Sequence, residues 1–160
     1  MKHHRIRRLP AAIAAVAVLL TTAAVAFGAT GATPTTITLG LQGGYRNVNM
    51  TVCKNLHHYT LYHQKTKLIM NGTVDPTPPF PDGAWKVKIK IKKCVLGKWK
   101  VIAQPHVLGN QTLVNDVKTA VYKYTRPLGI NTGFFFARAY YYTTPTTSII
   151  STDEHFRVTK

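Results

Sequence analysis

Acidic residues are scarce in this chain of 160. Asp75, Asp82, Asp116, Asp153 and Glu154 are the 5 present, against 21 Lys and Arg. Glycoside hydrolysis of the usual kind needs two carboxyl groups held at a usable separation. Asp75 and Asp82 flank a proline-rich stretch, and Asp153 and Glu154 are adjacent, so no such pair is visible. Serine is almost missing too: Ser148 and Ser151 occur, neither inside a nucleophile-elbow motif. There is no glycine-rich phosphate loop and no His-Glu-x-x-His pattern. The expectation is a protein that is not an enzyme and uses no cofactor and no metal.

Cysteine is limited to Cys53 and Cys94, and the first 32 residues suggest the compartment in which they reside. MKHHRIRR carries Lys2, Arg5, Arg7 and Arg8. LPAAIAAVAVLL follows as an uninterrupted apolar run, then the small-residue stretch TTAAVAFGATGA. A basic start, an apolar centre and Ala-x-Ala-type positions describe a secretory signal peptide, a helical leader cut after Ala26 or as late as Ala32. An uncleaved anchor is the other reading, because residues 9–29 approach the roughly 20 needed to span a bilayer. The abundance of Ala and Thr favours cleavage. No Cys follows the apolar run to take a lipid, and no sortase-like motif closes the C-terminus. In an exported protein an isolated cysteine pair is expected to form a disulfide, which would stabilise by roughly 3–4 kcal/mol through loop entropy.

Residues 33–160 form one domain's worth of chain. They keep 17 Lys and Arg against the same 5 acids, a formal +12. Such a field favours polyanions: cell-wall phosphate polymers, acidic polysaccharide, anionic lipid, or nucleic acid bound without sequence specificity. It also keeps a small domain soluble. No integral membrane role is expected once the leader is removed.

Helical periodicity is absent beyond residue 33, and period two replaces it. TITLGLQ alternates Ile37, Leu39 and Leu41. YTLY and KLIMNGTV precede DPTPPFPDG, a loop that cannot continue a strand. WKVKIKIKK gives the cleanest alternation, with CVLG as a turn and KWKVIAQ as the return strand. NDVKTAVYKYT, FFFARAYYYTT and EHFRVTK read as further strands, with breaks at Gly109-Asn110, Pro127-Leu128-Gly129 and Thr144-Pro145. Short strands rich in Val, Ile, Thr, Tyr and Phe at this spacing indicate an all-β, antiparallel sandwich or barrel.

Alternation sends Trp85, Val87, Ile89 and Ile91 inward and Lys86, Lys88, Lys90 and Lys92 outward, each lysine about 6.7 Å from the next. The return strand is expected to turn Trp99 and Val101 inward, with Lys98 and Lys100 outward beside that row. Such a ladder suits a polymer bearing phosphate or carboxylate at each repeat. It equally fits the solvated, aggregation-resistant face of a strand. The aromatic run, Phe134 to Phe136 and Tyr140 to Tyr142, fits a central strand covered on both faces. In the other reading, Phe136, Arg138 and Tyr140 contact sugar rings or bases. His57, His58 and His63 are expected at the solvent surface rather than at a metal. Asn49, Asn71 and Asn110 begin N-x-S/T triplets, but a bacterial-style leader argues against glycosylation.

KLIMNGTVDP (67–76), WKVKIKIKKCVLGKWKVIAQ (85–104), GFFFARAYYY (133–142) and HFRVTK (155–160) follow one another in an order that resembles a bacterial immunoglobulin-like domain. The family in question occurs in secreted and cell-surface proteins of Gram-positive bacteria, especially actinomycetes. Shared features are a strand ending Gly-x-Val-x-Pro, a following Val-alternating strand, a Gly-Lys-Trp return and a late aromatic strand with Arg-Ala. Residues 37–58 fit less well, and Cys53 and Cys94 are not at that family's usual disulfide positions. The resemblance implies an immunoglobulin-like antiparallel β-sandwich over residues 33–160 behind the leader of residues 1–32. It further implies adhesion, display or recognition rather than catalysis. Joined to the lysine row and the positive charge, this gives the expectation of a binding or structural module at the cell envelope contacting anionic polymers through its lysine face, the alternative being a protein-interaction or inhibitor module that uses loops or the aromatic strand.

Overall fold

The computed structural model describes residues 33–115, 117–129 and 131–160; the expected leader at residues 1–32 lies outside the described residues. All regular structure among them is β-strand: β1 (Thr36–Ile37), β2 (Gly40–Gln42), β3 (Arg46–Val52), β4 (Asn55–His63), β5 (Lys67–Asp75), β6 (Lys86–Val95), β7 (Lys98–Ala103), β8 (His106–Val114), β9 (Val117–Pro127), β10 (Gly133–Tyr142), β11 (Ser148–Ile150) and β12 (Glu154–Thr159). The strands run in the order β1-β5-β9-β8-β6-β10-β12-β4-β3, with β2 beside β5, β7 beside β6 and β11 beside β10.

Strand β8 joins the two halves of this open sheet. Its first residues pair with β6, as Val87 with Val107 and Lys88 with His106. Its later residues pair with β9, from Gly109–Tyr122 to Val114–Val117. The halves close over a single core. One half supplies Ile37, Leu68, Met70, Val74 and Tyr122, the other Tyr62, Val87, Ile89, Ile91, Phe135, Tyr141, Phe156 and Val158. A large side chain of this kind contributes about 1.5–3 kcal/mol on leaving water, which is why most of the core positions carry Val, Ile, Leu, Met or an aromatic ring, with Ala120, Ala137 and Ala139 among the smaller ones.

Two expectations need correction. The strands are not all antiparallel: β12 lies parallel to β4, Phe156 opposite Thr60 and Val158 opposite Tyr62. Parallel pairing needs no hairpin between the partners, so strands from opposite ends of the described chain can meet. Gly109-Asn110, read above as a break, lies inside β8. A Cβ at Gly109 would stand 2.2 Å from three ring atoms of Trp85, so this glycine makes room for an indole and ends no strand. Strand β8, the edge strand β3 and the short β11 went unread. β3 buries no residue fully and so leaves little hydrophobic pattern.

Candidate polyanion-binding face

Strand β6 is an inner strand, flanked by β10 on one side and by β8 and β7 on the other. Its burial alternates as the sequence requires. Val87, Ile89 and Ile91 are buried, Lys88, Lys90 and Lys92 are half-exposed, and Lys86 is exposed. A slip of one residue would exchange these sets and bury the ammonium groups, so the register is strongly fixed.

On the outer face the lysines do not stand alone. Lys88 pairs across to Tyr140, Lys90 to Arg138 and Lys92 to Phe136 on β10. Lys90 Nζ lies 4.8 Å from the Tyr140 ring centroid and Lys92 Nζ 5.2 Å from that of Phe136. Each such cation–π contact is worth about 0.5–1 kcal/mol where solvent reaches it. The three residues singled out on β10 thus share a face with the lysine row. Their charges are handled differently. Arg138 is held by Asp153 through Nε–Oδ1 at 2.5 Å and Nη2–Oδ2 at 2.6 Å, and this hydrogen bonding pushes the guanidinium pKa further up. Among the described residues that is the one ion pair. Lys86, Lys88, Lys90 and Lys92 have no carboxylate partner among the described residues.

Lys98 and Lys100 do not extend the row. The β6–β7 hairpin turns on Leu96 and Gly97, both at positive φ, 51° and 73°, in the primed geometry that two-residue hairpins favour. This turn places Val95 opposite Lys98, Cys94 opposite Trp99, Lys93 opposite Lys100 and Lys92 opposite Val101. Residues directly opposite share a face, so Trp99 and Val101 join the lysine side while Lys98 and Lys100 lie on the other. Trp99 confirms the parity: its ring meets Phe136 edge-on at 4.9 Å and His155 at 6.0 Å.

Phe136 is accordingly buried, at 6 % exposure, although it points away from the main core. It belongs to a second aromatic cluster with Trp99, His155, His57 and Tyr59. His57 stacks on His155 at 3.8 Å, and Tyr59 meets His155 edge-on at 5.4 Å. Burial, followed by the neighbouring His57, pushes the His155 pKa down to about 4. His58 and His63 are exposed as expected; the half-buried His57 departs from that expectation.

The Cys53–Cys94 disulfide is present and explains the cluster's cover. Cys94 lies on β6, and Cys53 lies in the turn between β3 and β4. Strands β10 and β12 stand between β6 and β4, a span of about 14 Å in a flat sheet. The two Cα atoms are 6.1 Å apart. The β3–β4 hairpin tip therefore leans across β12 and β10, and the disulfide pins it there. One end of the lysine row, at Lys92, abuts this cover. The other end, at Lys86, is open.

That open end holds Tyr142, the next outward residue of β10 and in the sequence only a member of the aromatic run, with two side chains the sequence did not single out, His106 on β8 and Phe80 from the proline-rich loop, around a cleft of about 400 Å³. Tyr142 was legible by extending the alternation of Phe136, Arg138 and Tyr140. His106 was hidden because its strand was unread. Among the described residues no group of three His, Cys, Asp or Glu is placed to hold a metal, and no helix is long and apolar enough to cross a membrane. A disulfide is consistent with an extracellular protein. A scan against protein-family models finds no match for this chain, and a search of curated proteins finds none either.

Proposed function

We propose that this chain is an exported, non-catalytic module with an immunoglobulin-like sandwich fold, working at the cell envelope by holding anionic polymers against its lysine face. The observation that carries the reading is the row of four lysines, fixed on one face by the β6 register, with no carboxylate paired to them among the described residues. Like charges at this spacing repel, and a polyanion relieves the repulsion while releasing its own counterions. Supporting features are the shared core beneath the doubled sheet, the disulfide and the large positive charge.

The test is binding of the full chain to isolated Gram-positive cell walls across a salt series. Beside it stand a Lys86→Gln, Lys88→Gln, Lys90→Gln, Lys92→Gln variant and a Lys98→Gln, Lys100→Gln variant, the second serving as a control for charge on the opposite face. Expected is binding that fades with salt, is lost in the first variant and is largely kept in the second. Equal loss in both would reduce the effect to net charge, and no binding by any protein would refute the reading.

A protein-interaction module is the second reading. Leu113 and Val117 are 70 % and 65 % exposed where β8 turns into β9, an apolar tip of the kind that contacts partners. It predicts saturable one-to-one binding that survives salt and the lysine changes but not Leu113→Asn with Val117→Thr.

A further inference from the structure

The lysine row reads charge, and the cleft at its open end reads something more. It is formed by Phe80, Trp85, Lys86, Lys88, His106 and Tyr142 and measures about 400 Å³, within the roughly 300–1,000 Å³ typical of small-ligand sites. Three strands and a loop converge here. Lys86 and Lys88 come from β6, His106 from β8 opposite Lys88, and Tyr142 from the end of β10. Phe80 comes from the proline-rich loop, which is tied to β8 by Gln111 Nε2 donating to the Phe80 carbonyl at 2.8 Å and the Gln111 amide donating to Asp82. The loop is thus held in place and does not hang free.

The cleft combines two chemistries. Phe80 and Tyr142 are large aromatic side chains left 50 % and 43 % exposed, and neither has a cation lying over its ring, unlike Phe136 and Tyr140. Lys86 and Lys88 bring hydrogen-bond donors and positive charge, His106 an imidazole with a donor and an acceptor nitrogen, and among the described residues no carboxylate lines the cleft. Trp85, 3 % exposed, forms part of the wall, and its indole N–H has no acceptor among the described residues. A buried donor without a partner is uncommon in a finished structure.

We infer that this cleft takes one acidic sugar residue, a pyranose ring bearing a carboxylate, so that the face selects acidic polysaccharide over ring-free polyphosphate-type chains. The flat faces of the ring lie against Phe80 and Tyr142. The carboxylate meets Lys86 and Lys88, and the remaining lysines of β6 follow the next charges along the polymer. This deepens the reading proposed above and rests on it. The two are separable because aromatic and cationic side chains can be changed independently.

The experiment titrates the full chain with polygalacturonate and with inorganic polyphosphate at matched charge, in low and in physiological salt. The variants are Phe80→Ala, Tyr142→Ala and Lys88→Gln. Expected is binding to both polymers at low salt and about tenfold tighter binding to polygalacturonate at physiological salt, the size of one good ring contact. Phe80→Ala and Tyr142→Ala each reduce that preference severalfold while leaving polyphosphate binding unchanged, and Lys88→Gln weakens both polymers. Equal affinity for the two polymers, or aromatic variants that keep the preference, would overturn the cleft assignment and leave the lysine reading intact. Binding to neither polymer would overturn both.

Discussion

Gly109 offers a sharp test of the packing that shapes this face. In a strand with space beside it, alanine in place of glycine stabilises by about 0.5–1 kcal/mol, because glycine loses more backbone freedom on folding. At Gly109 the sign reverses. The added methyl would lie 2.2 Å from the Trp85 ring, well inside contact distance. The backbone cannot retreat easily: the Gly109 amide donates to the Trp85 carbonyl at 3.0 Å, and the Gly109 carbonyl accepts from the Gly83 amide at 2.9 Å. The indole must move, and it is packed edge-on against Tyr141 at 6.0 Å. Overpacking of this kind costs about 1–3 kcal/mol, so Gly109→Ala is expected to destabilise by a net of about 1–2 kcal/mol, a drop of roughly 1 M in urea midpoint. Trp85→Leu alone is costly because it leaves a void, but in that background the alanine has room. A double-mutant cycle should therefore show coupling of about 2 kcal/mol between the sites. The assay is urea unfolding followed by far-ultraviolet circular dichroism, which does not depend on the removed indole. Gly109→Ala as stable as the parent, or coupling below about 0.5 kcal/mol, would refute the packing argument.

Acid should loosen the second aromatic cluster. His155 has its pKa pushed down to about 4 in the fold from about 6.5 in an unfolded chain. Its contribution is therefore complete above pH 6.5 and is lost as pH falls toward 4. Full linkage would be about 3 kcal/mol, and partial solvation of the ring reduces the expected loss to about 1–2 kcal/mol; urea midpoints at pH 7 and 4.5 should show this drop, and His155→Phe should remove it. Reducing the disulfide, which joins residues 41 apart, should cost about 4 kcal/mol in the loop-entropy account, read as a fall in melting temperature of the Cys53→Ser, Cys94→Ser variant. Asp153→Asn should release Arg138 onto the lysine face and tighten polyanion binding severalfold at low salt, with about 1 kcal/mol or less of stability lost; unchanged affinity in a salt titration would show that Arg138 does not face the ligand.

The lysine row was legible because β6 alternates without a fault over its inward Val87, Ile89 and Ile91, and one buried face fixes the other. The face of β7 was not legible from its own alternation, which suits either orientation. The two-residue turn at Leu96 and Gly97 decides it, by setting which residues stand opposite which. Gly109 misled because glycine marks both turns and close approaches, and the sequence does not say that Trp85 lies above it. Phe136, Arg138 and Tyr140 could be placed on one face by period two, but the burial of Phe136 depends on a hairpin that arrives from far along the chain. The β4–β12 pairing has no local signature at all, since neither strand carries information about a parallel partner so distant in sequence.

That pairing has a consequence for how the chain assembles. In the finished sheet β10 and β12 fill the gap between β6 and β4, yet they are made long after both. During vectorial synthesis the hairpin of β3 and β4 emerges before the other strands of its half of the sheet and has no neighbour there. Cys53 and Cys94 can already be joined while that gap is still empty. Closure then requires the last strands to enter a slot bounded by a covalent tether, a route of high contact order and correspondingly slow closure. Until β10 and β12 emerge, the edges of β6 and β4 that face the gap keep their backbone groups unpaired.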